Sequence, residues 1–496
     1  MNDQHQKHEF FECVIIGGGI VGAGLFRDLS LNNVSVLIID QKDFMSETSS
    51  KSSKMLHGGI RYLENLDFHL VFEALHEKNF WLKMAPHLCY EARFHLPLFK
   101  SSKDSPFLIK LGLFLYDLLS LFKNTPHKMI NAHELDAANK LVDFSQIRKI
   151  GIYSDAIVDD VKLGLESIFD GLFGHQSNKN LWQKKPGVDA RNYHQFIKYE
   201  TDPKTHHKIL HLKNILKNET YTVQCKHLIF ALGPFTDLWF KDNKQDFHPF
   251  LRPSKGSHLW IKKSALPVND PFVIRTKDER IIFIIPQQNM ILVGTTEIPS
   301  TDRDIVNPQM SSEEKYYLLN NINEFFPKTK INDDDILGDF SGIRPLVRAQ
   351  DQDLKKTSRE HQFKMLDQST FVIAGGKYTT FRVMGQEISR IICLQLNKTY
   401  APMLSESKLH FKSTILPFEE KISLNYGPTA EQIENILKNE LVQTFDDLVS
   451  RRLGIISKRM WMYKYSIDFD QYFNDHFELI NKYIKLDKKT IEQFKN

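Results

Sequence analysis

Three groups of residues in this chain could do chemistry, and each sits on or beside glycine. The first is Gly17, Gly19 and Gly22, spaced as G-x-G-x-x-G directly after the apolar run Cys13-Val14-Ile15-Ile16. The first glycine lets the chain turn, the second leaves backbone open to a pyrophosphate, and the third lets a helix pack closely on the strand. The helix N-terminus then faces the phosphate charge. Asp40 closes a second apolar run about twenty residues later, where a carboxylate can accept hydrogen bonds from an adenosine ribose. Together they predict a dinucleotide site. The second group is the small polar stretch with Thr48, Ser49, Ser50 and Ser53, whose hydroxyls and backbone N–H groups could line the same channel. The third is scattered: His57, Arg61 and Tyr62 around Gly58-Gly59, His258 after Lys255-Gly256, Arg344 after Gly342, and Lys377 and Thr379 after Gly375-Gly376. A lone histidine or arginine is more often structural than catalytic, so residue type alone does not decide their role.

The elements that must position these groups follow from pattern. Val34 to Ile39 reads as the second strand of a parallel sheet. Phe68 to Met84 has helical spacing and ends before Pro86; Asp155 to Phe173 also reads as a helix. From Asn178 to Cys225 short alternating pieces, such as Lys208 to Leu212 and Tyr221 to Cys225, suit an antiparallel sheet. Leu228-Ile229-Phe230-Ala231-Leu232-Gly233 is a buried strand that returns to the parallel sheet, bringing Ala231 and Gly233 near the dinucleotide. Arg280 to Ile285 and Ile291 to Thr296, joined by Pro286 to Met290, predict a hairpin in a second sheet that roofs a pocket. Phe371 to Ala374 repeats the opening order of strand, glycines, helix. From about Leu409 the composition predicts a separate helical part, with Arg451-Arg452 and Lys458-Arg459 on a solvated face.

A length of 496 residues suggests two or three domains, and a formal charge of +4 gives no field calling for nucleic acid. Four scattered cysteines, without a C-x-x-C pair, argue against a metal site or disulfides and fit a reducing cytoplasm. The N-terminus lacks the apolar core of a signal peptide. The longest apolar run, Phe107 to Phe122, is too short to span a bilayer and predicts a buried or interfacial amphipathic helix.

With these residues in view, the chain resembles the FAD-dependent glycerol-3-phosphate dehydrogenases of the respiratory type. The likeness runs in order through Ile16-Gly17-Gly18-Gly19-Ile20, Thr48-Ser49-Ser50, Ser52-Ser53-Lys54-Met55-Leu56-His57-Gly58-Gly59-Ile60-Arg61-Tyr62-Leu63-Glu64 and Lys83-Met84-Ala85-Pro86-His87-Leu88. It continues through Lys255-Gly256-Ser257-His258, Gly294-Thr295-Thr296, Ser341-Gly342-Ile343-Arg344-Pro345-Leu346 and Gly375-Gly376-Lys377-Tyr378-Thr379-Thr380, and so covers about the first 400 residues. Two positions depart from the family pattern: Leu232 replaces the usual threonine of Ala-Thr-Gly, and Glu297 stands where an aspartate is usual.

The resemblance implies an α/β fold with a glutathione-reductase-like, FAD-binding Rossmann domain, an antiparallel-sheet substrate cap and a C-terminal helical domain. The expected boundaries are 1–90, 150–240 and 340–400 for the FAD domain, 91–149 and 241–339 for the cap, and 409–496 for the last. The implied reaction is oxidation of sn-glycerol 3-phosphate to dihydroxyacetone phosphate, with electrons passing through FAD to a membrane quinone. The implied place is the cytoplasmic face of the inner membrane, as a peripheral protein that could form a homodimer. His57 or His258 would take the C2 hydroxyl proton; Arg61, Arg344 and Lys377 would face the phosphate; Tyr62 and Thr379 would add polar contacts. Arg344 could also steady alkoxide character at C2. The expected FAD contacts are Gly17, Gly19, Gly22, Asp40, Thr48, Ser49, Ser50, Ser53, His57, Ala231, Gly233, Gly376, Lys377 and Thr379. The alternatives are an oxidase of the same substrate that reduces oxygen, an amine- or amino-acid-oxidising flavoenzyme of the same fold, and a flavoprotein acting on tRNA. The near-neutral charge disfavours the last.

Overall fold

The computed structural model describes residues 9–100, 105–135, 141, 144–173, 182–243, 247–348, 357–358, 361–415, 417–418 and 427–484. The N-terminal octet, the expected beginning of the polar stretch at Asn178 and the end of the C-terminal part at 485–496 lie outside them.

Strand β1 (Glu9–Ile16) is apolar where it enters the core, turns at the glycines, and continues into helix α1 (Ile20–Leu31), whose inner face packs on the sheet. Strand β2 (Val36–Ile39) lies parallel to β1, with Ile15 opposite Ile38. On the other side of β1 runs the long strand Glu219–Phe230, parallel to it with Ile15 opposite Ile229. Thr370–Gly375 follows in parallel, then His361–Asp367 antiparallel at the edge. Val188–Arg191 pairs with β2 at the opposite end. The strand Glu219–Phe230 serves two sheets' worth of pairing: its first half is antiparallel to Lys208–Asn214, as the alternating pattern predicts, and its second half parallel to β1. The apolar runs are continuous because both faces of this sheet are covered.

A second sheet of ten strands lines one cavity together with the C-terminal ends of the first, with Gly256, His258 and Phe283 from the second and Ala374 and Gly375 from the first. The predicted hairpin is present as Ile281–Gln287 and Met290–Gly294, closed by a two-residue turn shorter than the predicted connection. Met290–Gly294 pairs with Ser254–Lys262, which also pairs with Ile336–Arg344. That register sets His258 between Gly294 and Phe340, and Gly256 opposite Gly342. Helix α2 (Phe68–Met84) has the predicted bounds. The helical reading of Asp155 to Phe173 needs correction at its start: the helix begins at Asp160, and Asp155 lies in the strand Ile147–Val158, paired with Ala92. That strand crosses residue 150 and belongs wholly to the second sheet, beside Cys89–Phe99. Helix α3 (Pro106–Leu119) buries Leu113 and Tyr116 but leaves Phe107, Leu108, Leu111, Phe114 and Leu118 in solvent.

The C-terminal part is helical, as its composition predicts, with a core that includes Trp461, Phe469 and Phe473. The prediction of a solvated face fails at Arg451-Arg452. Both side chains are buried, and they clamp the Asp43 carboxylate just after β2. Arg452 also donates to the carbonyl of Glu440, and Asn192 bridges Asp43 to the Leu441 carbonyl. The physical reason is that a buried carboxylate needs a partner, and its partners come from the other end of the chain. Arg459 is exposed as expected, and Lys458 is half-buried in an ion pair with Asp470.

Candidate active site

The glycine turn meets three different packing demands. Gly17 has φ +112°, and a Cβ there would lie 2.4 Å from the Ala231 carbonyl oxygen; a Cβ on Gly22 would lie 2.0 Å from the Gly17 oxygen. Those two glycines seat backbone on backbone. A Cβ on Gly19 would instead meet only Ser49 Oγ, at 3.0 Å, and Gly19 lines a cavity of about 710 Å³. The α1 N-terminus opens on the same cavity, with Ile20 N–H donating to Ser49 Oγ at 2.9 Å. A cradle that only the middle glycine leaves open, at a helix N-terminus, fits the pyrophosphate of a dinucleotide such as FAD.

Asp40 accepts the Gly18 N–H (2.8 Å) and the Lys42 N–H (2.8 Å), so the acid at the end of β2 holds the turn itself. Burial pushes its carboxyl up to about 6. Asp40, Gly17 and Gly22 lie behind the cavity wall rather than on it; Thr48, Ser49 and Ser53 face the cavity, as do Ala231, Gly233 and Gly376. Ser50 does not join them: it lines a different cavity and donates to the Glu47 carbonyl at 3.0 Å. The short helical turn Thr48–Ser50 carries Ser50 away from the side that Thr48 and Ser49 face, which a linear stretch of polar residues does not reveal.

The third group converges on the same cavity, although its members span more than 300 residues. His57, Arg61, Tyr62, His258, Arg344, Lys377 and Thr379 all line it. Gly59 is left-handed (φ +72°), and a Cβ there would collide with the Tyr62 ring, so the glycine lets Tyr62 fold back over the turn. Lys377 Nζ then sits 4.1 Å from that ring's centroid. Gly256 does the same for Arg344, whose guanidinium occupies the place a Cβ would take and donates to Thr295 Oγ1 at 2.7 Å. Thr379 is buried and receives the His57 N–H at 3.2 Å, tying the two turns together. Arg61 is exposed at the rim.

His258 is buried between Gly294 and the Phe340 ring, which stacks on it at 4.9 Å. Its Nε2 is 2.8 Å from Ser53 Oγ, and its Nδ1 has no hydrogen-bond partner among the described residues. Burial, then the charges of Arg344 and Lys54, hold its pKa well below the ordinary histidine value, so the ring is neutral.

Several buried acids around this cavity escape a reading of the sequence. Asp155 lines it, accepts from Tyr116 Oη (2.7 Å) and the Gly58 N–H (3.2 Å), and is pushed up to about 6 by burial. Asp160 pairs with Lys54 at 2.5 Å and accepts from Ser52 Oγ at 2.6 Å. Glu314 takes the hydroxyls of Ser257 and Thr296 and pairs with Lys255 at 3.0 Å. The only hint of Glu314 is Ser311, three residues upstream, which forms a capping box with it; Asp155 and Asp160 give no local signal.

Comparison with known proteins agrees with this geometry. Residues 12–388 match the family model of FAD dependent oxidoreductases. The chain is 30% identical over 476 residues to an aerobic glycerol-3-phosphate dehydrogenase of Staphylococcus aureus, covering 94% of this chain and 80% of that protein. Its fold is similar to that of glycerol-3-phosphate dehydrogenase from Bacillus halodurans complexed with FAD, with a TM-score of 0.72 and 21% identity over 99% of this chain and 93% of that one. It is also similar to FAD-bound L-alpha-glycerophosphate oxidase from Mycoplasma pneumoniae, with a TM-score of 0.59 and 15% identity over 82% and 100% of the two chains.

Proposed function

The chain belongs to the family of FAD-dependent oxidoreductases, and from that premise we propose that it oxidises sn-glycerol 3-phosphate at C2 to dihydroxyacetone phosphate and delivers the electrons to a membrane quinone. The observation that carries this reading is the gathering of Arg61, Arg344 and Lys377 around one cavity that also holds two histidines and the glycine cradle. A phosphate carrying nearly two negative charges needs such cations, whereas the amine or amino-acid substrate of a related flavoenzyme does not need three.

FAD, when bound, supplies the two-electron acceptor for the hydride leaving C2. The protein's own groups do the rest. Arg344 is held on Gly256 by Thr295, so its guanidinium is already oriented when the substrate enters. Lys377, shelved on the Tyr62 ring, adds a second charge, and Arg61 at the rim steers the anion inward. Of the two histidines, we assign the proton-accepting role to His258, because its surroundings keep it neutral and Ser53 fixes its ring. His57, joined to Thr379 through its backbone, shapes the turn between cofactor and substrate.

The same reading places the protein on the inner face of the cell membrane. Among the described residues no helix is long and apolar enough to cross a bilayer. Helix α3 and the turn after it nevertheless expose a row of large apolar side chains, from Phe107 (73% exposed) to Phe122 (57%), beside exposed Lys110, Lys123 and Lys128. That combination suits the headgroup boundary of an anionic bilayer. A single assay tests the reaction: purified protein, glycerol 3-phosphate and an artificial electron acceptor, with and without oxygen. Turnover that needs the added acceptor supports the dehydrogenase; equal turnover with oxygen alone, yielding peroxide, makes it an oxidase; and no turnover with either refutes the substrate.

A further inference from the structure

The proposed reaction draws on the cations and histidines of the cavity and makes no use of Asp155, a buried carboxylate in the same wall. Its short contacts converge on one place. Gly58 N–H donates both to Tyr116 Oη at 2.9 Å and to Asp155 Oδ1 at 3.2 Å, and Tyr116 Oη donates to the same carboxylate oxygen at 2.7 Å. The three groups come from the turn after Leu56, from α3 and from the strand Ile147–Val158. A Cβ on Gly58 would lie 2.6 Å from Tyr116 Oη and 2.5 Å from the Leu75 side chain, so it is glycine that lets the hydroxyl reach the backbone. A buried carboxylate is often no more than half of a structural ion pair. The cation facing Asp155 is Lys78 of α2, but it stands 4.0 Å away, and its amine donates to Asn124 Oδ1 at 2.6 Å. The shorter bonds of the carboxylate go to the turn and to Tyr116.

That turn is a place where fixed geometry matters. It runs His57-Gly58-Gly59, and two adjacent glycines make a backbone costly to hold in one conformation. His57 N–H is tied to Thr379 Oγ1 on one side, and Gly58 N–H to Tyr116 and Asp155 on the other. Arg61 and Tyr62 come next in the chain, and the Tyr62 ring carries Lys377. We infer that Asp155, acting with Tyr116, is a positioning residue that sets this turn and thereby places Arg61 and Lys377 for the phosphate of the substrate. The inference rests on the glycerol 3-phosphate reading and adds to it a residue that acts through the backbone.

Ionisation of Asp155 should tune this clamp, because a charged acceptor holds an N–H or O–H more strongly than a neutral one. Burial pushes its carboxyl up to about 6; Lys78, Tyr116 and the Gly58 N–H oppose the rise, and Glu91 on the neighbouring strand adds to it. Tyr153 faces it from its own strand, and burial together with the Asp155 charge keeps both tyrosines protonated. The carboxyl is charged above about 6 and neutral below, so the clamp is tight in the upper range and loosens as pH falls.

The test uses the FAD-loaded protein, a water-soluble dye as acceptor, and the variants Asp155→Leu, Asp155→Asn and Tyr116→Phe. Flavin absorbance and Tm check that each is folded and loaded. Asp155→Leu removes the acceptor and should raise KM for glycerol 3-phosphate about ten- to thirtyfold, with kcat within about twofold of wild type. Asp155→Asn keeps a neutral acceptor and should recover most of that loss, leaving KM about two- to fivefold above wild type near neutral pH. A residue needed only as the counter-charge of Lys78 would make the two variants equal. The ratio of KM in Asp155→Asn to KM in wild type cancels the ionisation of the substrate, and it should shrink toward one below about pH 6. Tyr116→Phe should raise KM by about two- to fivefold as well. Unchanged KM in Asp155→Asn and Tyr116→Phe overturns the inference, as does a loss confined to kcat or a KM ratio that does not respond to pH. Should Asp155→Leu fail to hold flavin, the other two variants decide by the same measures. A wild-type protein with no turnover of glycerol 3-phosphate refutes the substrate reading instead, and that result appears before any variant is made.

Discussion

Replacing Arg452 by methionine removes the charge that joins the C-terminal helices to the segment after β2, while keeping most of the apolar stem. The side chain is fully buried. Its Nε and Nη2 donate to the Glu440 carbonyl at 3.0 and 2.7 Å, Nη2 reaches Asp43 Oδ1 at 3.2 Å, and Nη1 pairs with Asp43 Oδ2. Asp43 would retain Arg451 Nε at 2.5 Å and Asn192 Nδ2 at 2.8 Å, too little for a carboxylate with no exposure. Breaking a buried pair in this way costs about 3 to 5 kcal/mol. With an unfolding entropy of about 2.1 cal/mol/K per residue, a chain this long should lose about 3 to 5 °C in Tm. Burial pushes the Asp43 carboxyl up, but Arg452 and Arg451 outweigh it and hold the carboxyl below the usual range. A depressed folded pKa adds stability that is complete above the unfolded value of about 3.9 and is lost as pH falls through the folded value, so the gap between wild type and variant should be flat near neutrality and close only in strong acid. Thermal unfolding followed by tryptophan and flavin fluorescence measures both. Arg459→Met, at an exposed arginine on the same helices, is the control and should leave Tm unchanged; the double variant Arg452→Met with Asp43→Leu should recover much of the loss, because no charge is then left unpaired. If Arg452→Met behaves like Arg459→Met, the buried clamp does not hold the parts together and the reasoning is wrong.

Three further outcomes are expected. Gly19→Val should fold but purify without yellow flavin, since its side chain would enter the cradle that Gly19 leaves open; an absorbance near 450 nm equal to wild type would refute that role. Arg344→Met should lower kcat/KM for glycerol 3-phosphate by about ten- to a hundredfold while flavin content holds, and should affect unphosphorylated glycerol much less; an equal loss on both would move Arg344 from the phosphate to the C2 oxygen. Phe107→Glu combined with Phe114→Glu should abolish co-sedimentation with anionic vesicles without changing dye-linked turnover in solution, and vesicle binding at wild-type level would remove α3 from the membrane contact.

What was legible in the sequence was whatever is decided within a few residues. The glycine turn, helix α2 and the hairpin around Met290 each announce themselves locally, through spacing, a terminating proline or two apolar runs with a short gap. For Arg61, Arg344 and Lys377 the local signal is only that each stands beside a glycine turn; that they meet on one cavity follows from the resemblance and the fold, not from spacing. The misread places share a different cause. The sequence reads as helical from Asp155 to Phe173, yet Asp155 lies in a strand whose last nine residues are buried, where Tyr116 and Gly58 satisfy its carboxylate. Two adjacent arginines read as a solvated face, yet the partner of Arg451 and Arg452, Asp43, stands more than 400 residues earlier. Long-range satisfaction of a buried charge cannot be seen along the chain. It also cannot be incidental here: Asp43 lies three residues after Asp40, which holds the Gly18 N–H, and Met45 N–H closes on the Gly18 carbonyl at 3.0 Å. The segment that fixes the glycine turn is thus itself fixed by the C-terminal helices, so a perturbation at Arg452 should reach the flavin even though no described residue of the C-terminal part lines the cavity that holds the glycine cradle.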